Sequence, residues 1–318
     1  MAKTPNAKTE HKAKPVAAEK SFSLVSNEKL LAIYTAMVKC RMLEQRATLL
    51  FQQGKLDSDL HASAGREAAS AGIAIDLQPN DTLGILPGEW LPAFVKGVTL
   101  DNLFRTLAPT AAERSGQQAL AAGDLGLKNI LTGDEAQVPE TVRERAVEAQ
   151  AAQEGAIVVA ILPSTAKSLK PWQTVMTAAA AQKLPIVFAH YVGIESEGSN
   201  SAPKDKSKNP EALVNGLPAI VVDADDAVAV YRVAYEAIIR ARQGRGATLL
   251  RCVGRSAVST AAKPESGGKS GIHAISNDPV SSMEIYLESK GIEPKGHNRE
   301  VVTSFNRDLE LATRFLDQ

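Results

Sequence analysis

Residues 155–192, GAIVVAILPSTAKSLKPWQTVMTAAAAQKLPIVFAHYV, decide the fold. Gly155 to Leu162 and Ile186 to Val192 are short continuous apolar runs, and a helical pattern lies between them near Trp172 to Gln182. A strand that is apolar at successive positions must be covered on both faces, which is the condition of a parallel sheet. The alternation continues downstream with AIVVDA (219–224), a helical stretch from about Asp226 to Gln243, and TLLRCV (248–253). Upstream, Ser26 is placed to N-cap a helix carrying Leu30, Ile33, Tyr34, Met37 and Val38 on one face, running to Phe51 and stopped by Gly54. A small-residue helix follows from about Gly65 to Leu77, with Ala68, Ala69, Ala71 and Gly72 allowing a neighbour close approach. The expected class is α/β: a doubly wound, mostly parallel sheet with helices on both faces.

Composition bounds the function. The 318 residues carry 36 Lys+Arg against 36 Asp+Glu, so the basic surface of a general nucleic-acid binder is not expected. With 44% hydrophobic residues but only 7 Phe, 5 Tyr and 2 Trp, the core is built from Ala, Val, Ile and Leu. The longest apolar run falls far short of the roughly 20 residues of a membrane-spanning helix, so a soluble chain with no membrane partner is expected. Cys40 and Cys252, the only cysteines, each sit in an apolar segment. That suits a reducing compartment, here read as the cytoplasm, and excludes a disulfide framework or a cysteine-rich zinc site. Residues 1–25 read as a disordered tail, because Lys, Ala, Pro, Thr and Glu cannot bury enough surface to offset the entropy of ordering. Residues 26–318 read as one domain with mobile loops at 195–210 and 254–276, both rich in Ser, Lys and either Asn and Pro or Gly. No internal repeat is present.

Four groups of residues carry a resemblance. They are Ile33-Tyr34-x-x-Met37 with Arg41, Glu44 and Gln53-Gly54-Lys55; His61-x-x-x-Gly65-Arg66-Glu67-Ala68; Asp223, Asp226, Val230-Tyr231, Ala241-Arg242, Gly244, Gly246 and Thr248-Leu249-Leu250; and Asp278-Pro279 with Tyr286-Leu287 to Gly291. Together they resemble the alpha subunit of the thiamine-diphosphate-dependent, decarboxylating component of 2-oxo acid dehydrogenase complexes, of the pyruvate dehydrogenase type. The match runs over most of 28–291 and is weak at about 108–154 and 254–275. It implies the thiamine-diphosphate-binding fold, thiamine diphosphate and Mg2+ as the family's cofactors, and a beta-subunit-like partner in an α2β2 assembly. The helices at 65–77 and at the start of the chain are the candidate interface elements.

The same alignment removes most of the family's chemistry. Where the family has Gly-Asp-Gly after its strand, with the Asp holding magnesium, this chain has Pro163-Ser164-Thr165. Where an Asn-Asn pair supplies the second side-chain ligand, it has Val192-Gly193. Magnesium requires hard oxygen ligands; valine has none, and serine brings no charge. The family's Tyr-Arg-Asp-His element aligns with Pro87-Gly88-Glu89-Trp90, replacing a cation by an acid, and its later His-bearing loop with Val253-Gly254-Arg255-Ser256. Ala136-Gln137-Val138-Pro139 resembles a segment near the cofactor, but the helix expected after it is replaced by the charged run Glu140 to Glu148. The expectation is a non-catalytic pseudo-subunit without bound cofactor or metal, acting structurally or regulatorily. The alternative is an active subunit that oxidatively decarboxylates a 2-oxo acid with substitute ligands such as Ser164. A third reading has the emptied cleft, near Pro171-Trp172, take another small molecule.

The remaining residues read plainly. His61 is a candidate for catalysis only through its alignment near the family's substrate entrance, and no catalytic residue is assigned. Glu67 is read as a carboxylate at a helix N-terminus. Arg66 is read as a solvated helix residue, and Asp223, Asp225 and Asp226 as helix-capping acids rather than a cation site. Gly268-Lys269-Ser270 lacks both the first glycine and the leading strand of a phosphate loop. Trp90 is either a plug in the vacated cleft or a partner contact.

Overall fold

The period-2 alternation of a strand sends successive side chains to opposite faces, and here each face has its own core. Val158, Ala160, Leu162, Ile186, Phe188 and Leu249 enter one cluster, while Val159, Ile161, Val187, Ala189, Leu250 and Cys252 enter the other. The computed structural model describes residues 25–56, 66–108, 129–133, 136–163, 169–193, 216–254 and 278–317. His61, Ser164, Thr165, Gly268-Lys269-Ser270, nearly all of both expected loops and residues 1–24 lie outside them. Val25, read as the end of the tail, is buried, and Gly254, read as the start of a loop, ends a strand.

The sheet has six parallel strands: β1 (Thr82–Gly84), β2 (Ile130–Leu131), β3 (Val158–Leu162), β4 (Ile186–Gly193), β5 (Ala219–Asp223) and β6 (Thr248–Gly254). Their order is β2-β1-β3-β4-β6-β5. The chain therefore reverses direction across the sheet between β1 and β3, and again beside β4. In doubly wound sheets, ligands bind outside the strand C-termini at such switch points. Helices α5 (Val138–Ala152) and α6 (Lys170–Gln182) cover one face. The other is covered by α1 (Asn27–Gln52), α2 (Glu67–Ala74), α3 (Leu91–Lys96), α4 (Leu100–Leu107) and α7 (Ala227–Arg242). Helix α8 (Pro279–Ser289) joins α1 and α2 in a third cluster, and the 20-residue α9 (Pro294–Thr313) lies along α1.

The capping chemistry is local. Ser26 Oγ accepts from Lys29 N, Asp226 Oδ1 from Val228 N and Ala229 N, and Asp278 Oδ2 from Ser281 N. Asp223 Oδ1 accepts from Asp225 N, so these acids cap and turn the chain as expected. Gly54, at φ +69°, follows the end of α1.

Three expectations are corrected. The charged run Glu140 to Glu148 does not replace a helix: it is the solvent face of α5. That face is laced by the Glu140–Arg143 and Arg145–Glu148 pairs, while Val138, Val142 and Ala146 face the core. The small residues of α2, expected to serve a partner, are spent within the chain itself, where all eight residues of Glu67–Ala74 are buried. A Cβ on Gly72 would lie 2.8 Å from Val230 Cγ1 and 2.9 Å from Tyr231 N, so the small residues serve contact with α7. Finally, Trp172 is fully buried, edge-on to Phe188 with ring centroids 6.4 Å apart, and forms core rather than the wall of an open cleft.

Candidate functional site

The carboxyl ends of β3, β4 and β6 converge beneath α2 and the turn that follows β1. Leu86 N-terminal to that turn is buried, Gly88 takes φ +91°, and the backbone N–H of Glu89 donates to Leu86 O at 3.0 Å. This turn directs Glu89 under α2, where its carboxylate pairs with the Arg66 guanidinium; each side chain is only 12% exposed. The guanidinium also lies 4.3 Å from the ring centroid of Tyr191 on β4. Arg66 is thus a largely buried cation, which corrects its reading as a solvated helix residue.

Between these groups a cavity of about 20 Å³ remains, lined among others by Ser70, Ile161, Ala189 and Cys252. That is room for about one water molecule. The end of β6 packs closely against Tyr191, since a Cβ on Gly254 would meet Ala224 Cβ at 2.8 Å and Tyr191 Oη at 2.9 Å. Trp90 is buried in the core cluster that also holds Ile161, Ala189 and Cys252.

A second charged group lies alongside. Arg41 on α1 donates from Nε to Glu67 Oε1 at 2.9 Å and from Nη1 to Asp278 Oδ2 at 3.0 Å, tying α1 to the first turns of α2 and α8. Glu67 is therefore a buried ion-pair partner as well as a first-turn carboxylate. Burial works against ionisation of Asp278, yet its bonds from Arg41 and Ser281 hold it down at about 2. Glu44, one turn along α1 from Arg41, is buried with its Oε1 lacking a partner. Burial first, then the negative charge of Glu67, pushes its carboxyl up to about 8, against the pull of Arg41 and Arg66. Both guanidiniums are already taken, so among the described residues the fourth carboxylate is left without a cation.

Of the positions where magnesium ligands are expected from the resemblance, Pro163 directly follows β3, and Val192 and Gly193 end β4. None offers a side-chain oxygen. Among the described residues no three His, Cys, Asp or Glu side chains converge as a metal set, and no helix is long and apolar enough to cross a membrane.

The sequence reading missed His190 and the Arg66–Glu89 pair. His190 lies on β4 in register with Leu162 and Arg251. Burial, then the Arg251 charge, pushes its imidazole down to about 4, so it is neutral at ordinary pH. The signal for it was a polar residue inside an apolar strand; for the pair there was none, because its members are joined only by the fold.

The family profile described as "Dehydrogenase E1 component" matches residues 34–255. The alpha subunit of acetoin:2,6-dichlorophenolindophenol oxidoreductase from Bacillus subtilis is 27% identical over 72% of this chain and 70% of its own length. The chloroplastic pyruvate dehydrogenase E1 component subunit alpha-3 of Oryza sativa is 25% identical over 96% and 76%. The Bacillus subtilis 2-oxoisovalerate dehydrogenase subunit alpha is 23% identical over 84% of each.

Proposed function

The chain belongs to the dehydrogenase E1 component family, and from that premise we propose that it is an alpha-type subunit that has kept the family's fold and given up the family's cofactor. The family depends on thiamine diphosphate and a metal. The single observation that carries the proposal is the closure of the strand-end cleft by the Arg66–Glu89 pair on Tyr191, leaving about 20 Å³. A diphosphate needs far more room, and it would have to strip Arg66 of Glu89 and leave that carboxylate buried beside its own negative charge. Displacing one partner of a buried pair in this way costs about 3–5 kcal/mol before any new contact forms. The described residues therefore do not fit the group.

The proposed role is structural or regulatory. The chain pairs with a beta-subunit-like chain in an α2β2-type assembly, in the cytoplasm, and holds or occupies a place that a catalytic alpha subunit takes elsewhere in the family. Tagged chain purified from its native cells tests this by identifying what co-purifies and counting thiamine diphosphate per copy. The expected result is a beta-like subunit with far less than one cofactor per chain. About one cofactor per chain, with decarboxylation of a 2-oxo acid, overturns the loss of the site and makes the chain an active subunit using substitute ligands. Recovery of the chain alone overturns the assembly.

A further inference from the structure

Four carboxylates and two guanidiniums meet where α1, α2, α8 and the turn before α3 come together. Arg41 is divided between Glu67 and Asp278, and Arg66 is held by Glu89. Glu44 is the supernumerary acid. It is buried, its Oε1 has no hydrogen-bond partner, and among the described residues the two cations acting on it, Arg41 and Arg66, are both committed to other carboxylates. The groups facing it are Arg41 and Cys40 on its own helix, Glu67 and Arg66 from α2, Glu89 from the turn, and Asp278 behind Arg41.

A buried carboxyl without a cation keeps its proton, and once it loses that proton it must find a cation or unfold its surroundings. The two available cations hold the structure in place. Arg41 fastens three helices, and its two carboxylate partners make it hard to withdraw. Arg66 has one carboxylate partner and belongs to the lid of the closed cleft. We propose that Glu44 is a proton-operated latch on that cleft: protonated, it leaves Arg66 to Glu89 and the cleft stays shut, and ionised, it draws Arg66 away from Glu89 and Tyr191 so that the cleft opens. The step is the release of one proton from Glu44 to solvent and the exchange of one ion pair for another. The latch requires only the closure described above and is independent of whether a partner subunit or a cofactor is ever bound.

Trp90 follows Glu89 directly and reports on the lid, and Trp172, on the opposite face of the sheet, serves as control. The full chain labelled with 5-fluorotryptophan gives two 19F resonances, assigned by Trp90→Phe and followed from pH 6 to 9.5. The expected result is a Trp90 resonance that titrates with a midpoint near 8 while Trp172 stays still, and a Glu44→Gln chain in which the Trp90 step is lost. A flat Trp90 resonance in the parent chain, or the same step in Glu44→Gln, overturns the latch. Carboxyl 13C resonances of glutamate-labelled chain give a second reading without substitution in the lid. A Glu carboxyl absent from Glu44→Gln and titrating near 8 is expected, and titration of every Glu carboxyl below 6 overturns the proposal.

Discussion

The Arg66 guanidinium carbon lies 4.3 Å from the ring centroid of Tyr191, on the strand whose next two positions, Val192 and Gly193, align with the family's Asn-Asn pair. One side chain thus binds a carboxylate and an aromatic face at the same time. Each contact has its own consequence. Glu89→Gln keeps the shape and removes the charge, leaving a largely buried guanidinium unpaired, and is expected to cost about 3 kcal/mol. Tyr191→Leu removes the aromatic face and is expected to cost about 1–2 kcal/mol in lost cation–π attraction. Urea midpoints for the two single variants and the double variant measure both terms. Because both variants loosen the same guanidinium, their costs should be non-additive.

Asp81 is fully buried and saturated. It accepts from Ile157 N at 3.1 Å and Gln78 N at 2.6 Å, and its two oxygens receive Arg242 at 2.9 and 2.5 Å. The pair pins the C-terminal end of α7 to the start of β1 and β3. Arg242→Met strands the carboxylate and is expected to destabilise by about 3–5 kcal/mol with an unchanged denaturant slope. Adding Asp81→Asn to Arg242→Met should recover part of that loss, and the urea midpoints of the two chains give the comparison.

Gly72 lies against backbone on α7. A methyl group there meets Tyr231 N at 2.9 Å and the branched Cβ of Val230 at 2.9 Å, neither of which is a flexible chain end. Gly72→Ala is expected to destabilise by about 1–3 kcal/mol in spite of alanine's better helix propensity, as read from the thermal midpoint.

Glu44 and His190 give opposite pH dependences. Folding raises the Glu44 carboxyl from 4.5 to about 8, so between those values the native state holds a proton that the unfolded chain has released. Stability falls as pH rises through that window, by on the order of a few kcal/mol, and this contribution is constant above 8. Glu44→Gln is expected to be more stable than the parent at pH 8.5 and to lose the alkaline decline. Folding lowers the His190 imidazole from 6.5 to about 4, so the unfolded chain binds the extra proton and stability falls as pH drops between those values. His190→Gln should flatten that acid limb alone. Urea midpoints at pH 5, 7 and 8.5 separate the two.

The strands legible in the sequence were the long ones. β3 to β6 run five residues or more and are apolar at nearly every position, whereas β1 and β2, three and two residues long, carry no periodicity to read. Helix α5 was legible in principle through Val138, Val142 and Ala146, one residue per turn. A stripe that narrow disappears among Glu and Arg unless something is known to lie beneath it. Helix α9 escaped for the same reason, with only Pro294, Phe305, Leu309 and Thr313 buried in 20 residues. Of the candidate site, the positions Glu89, Trp90, Pro163, Val192 and Gly193 were identified from sequence as departures from the family pattern. What stands in place of that pattern was not.

The sequence by itself determined the α/β class, the parallel sheet, the capping residues and the family, because each is written in short-range signals: apolar runs, Ser or Asp before a helix, motif spacing along one chain. Only the tertiary structure decided that Arg66 is largely buried, that Glu89 and Tyr191 hold it, and that among the described residues Glu44 is left without a cation. The Arg66 contacts join residues 23 and 125 positions apart, and the burial that gives them their strength exists only once the sheet and α2 have closed over them.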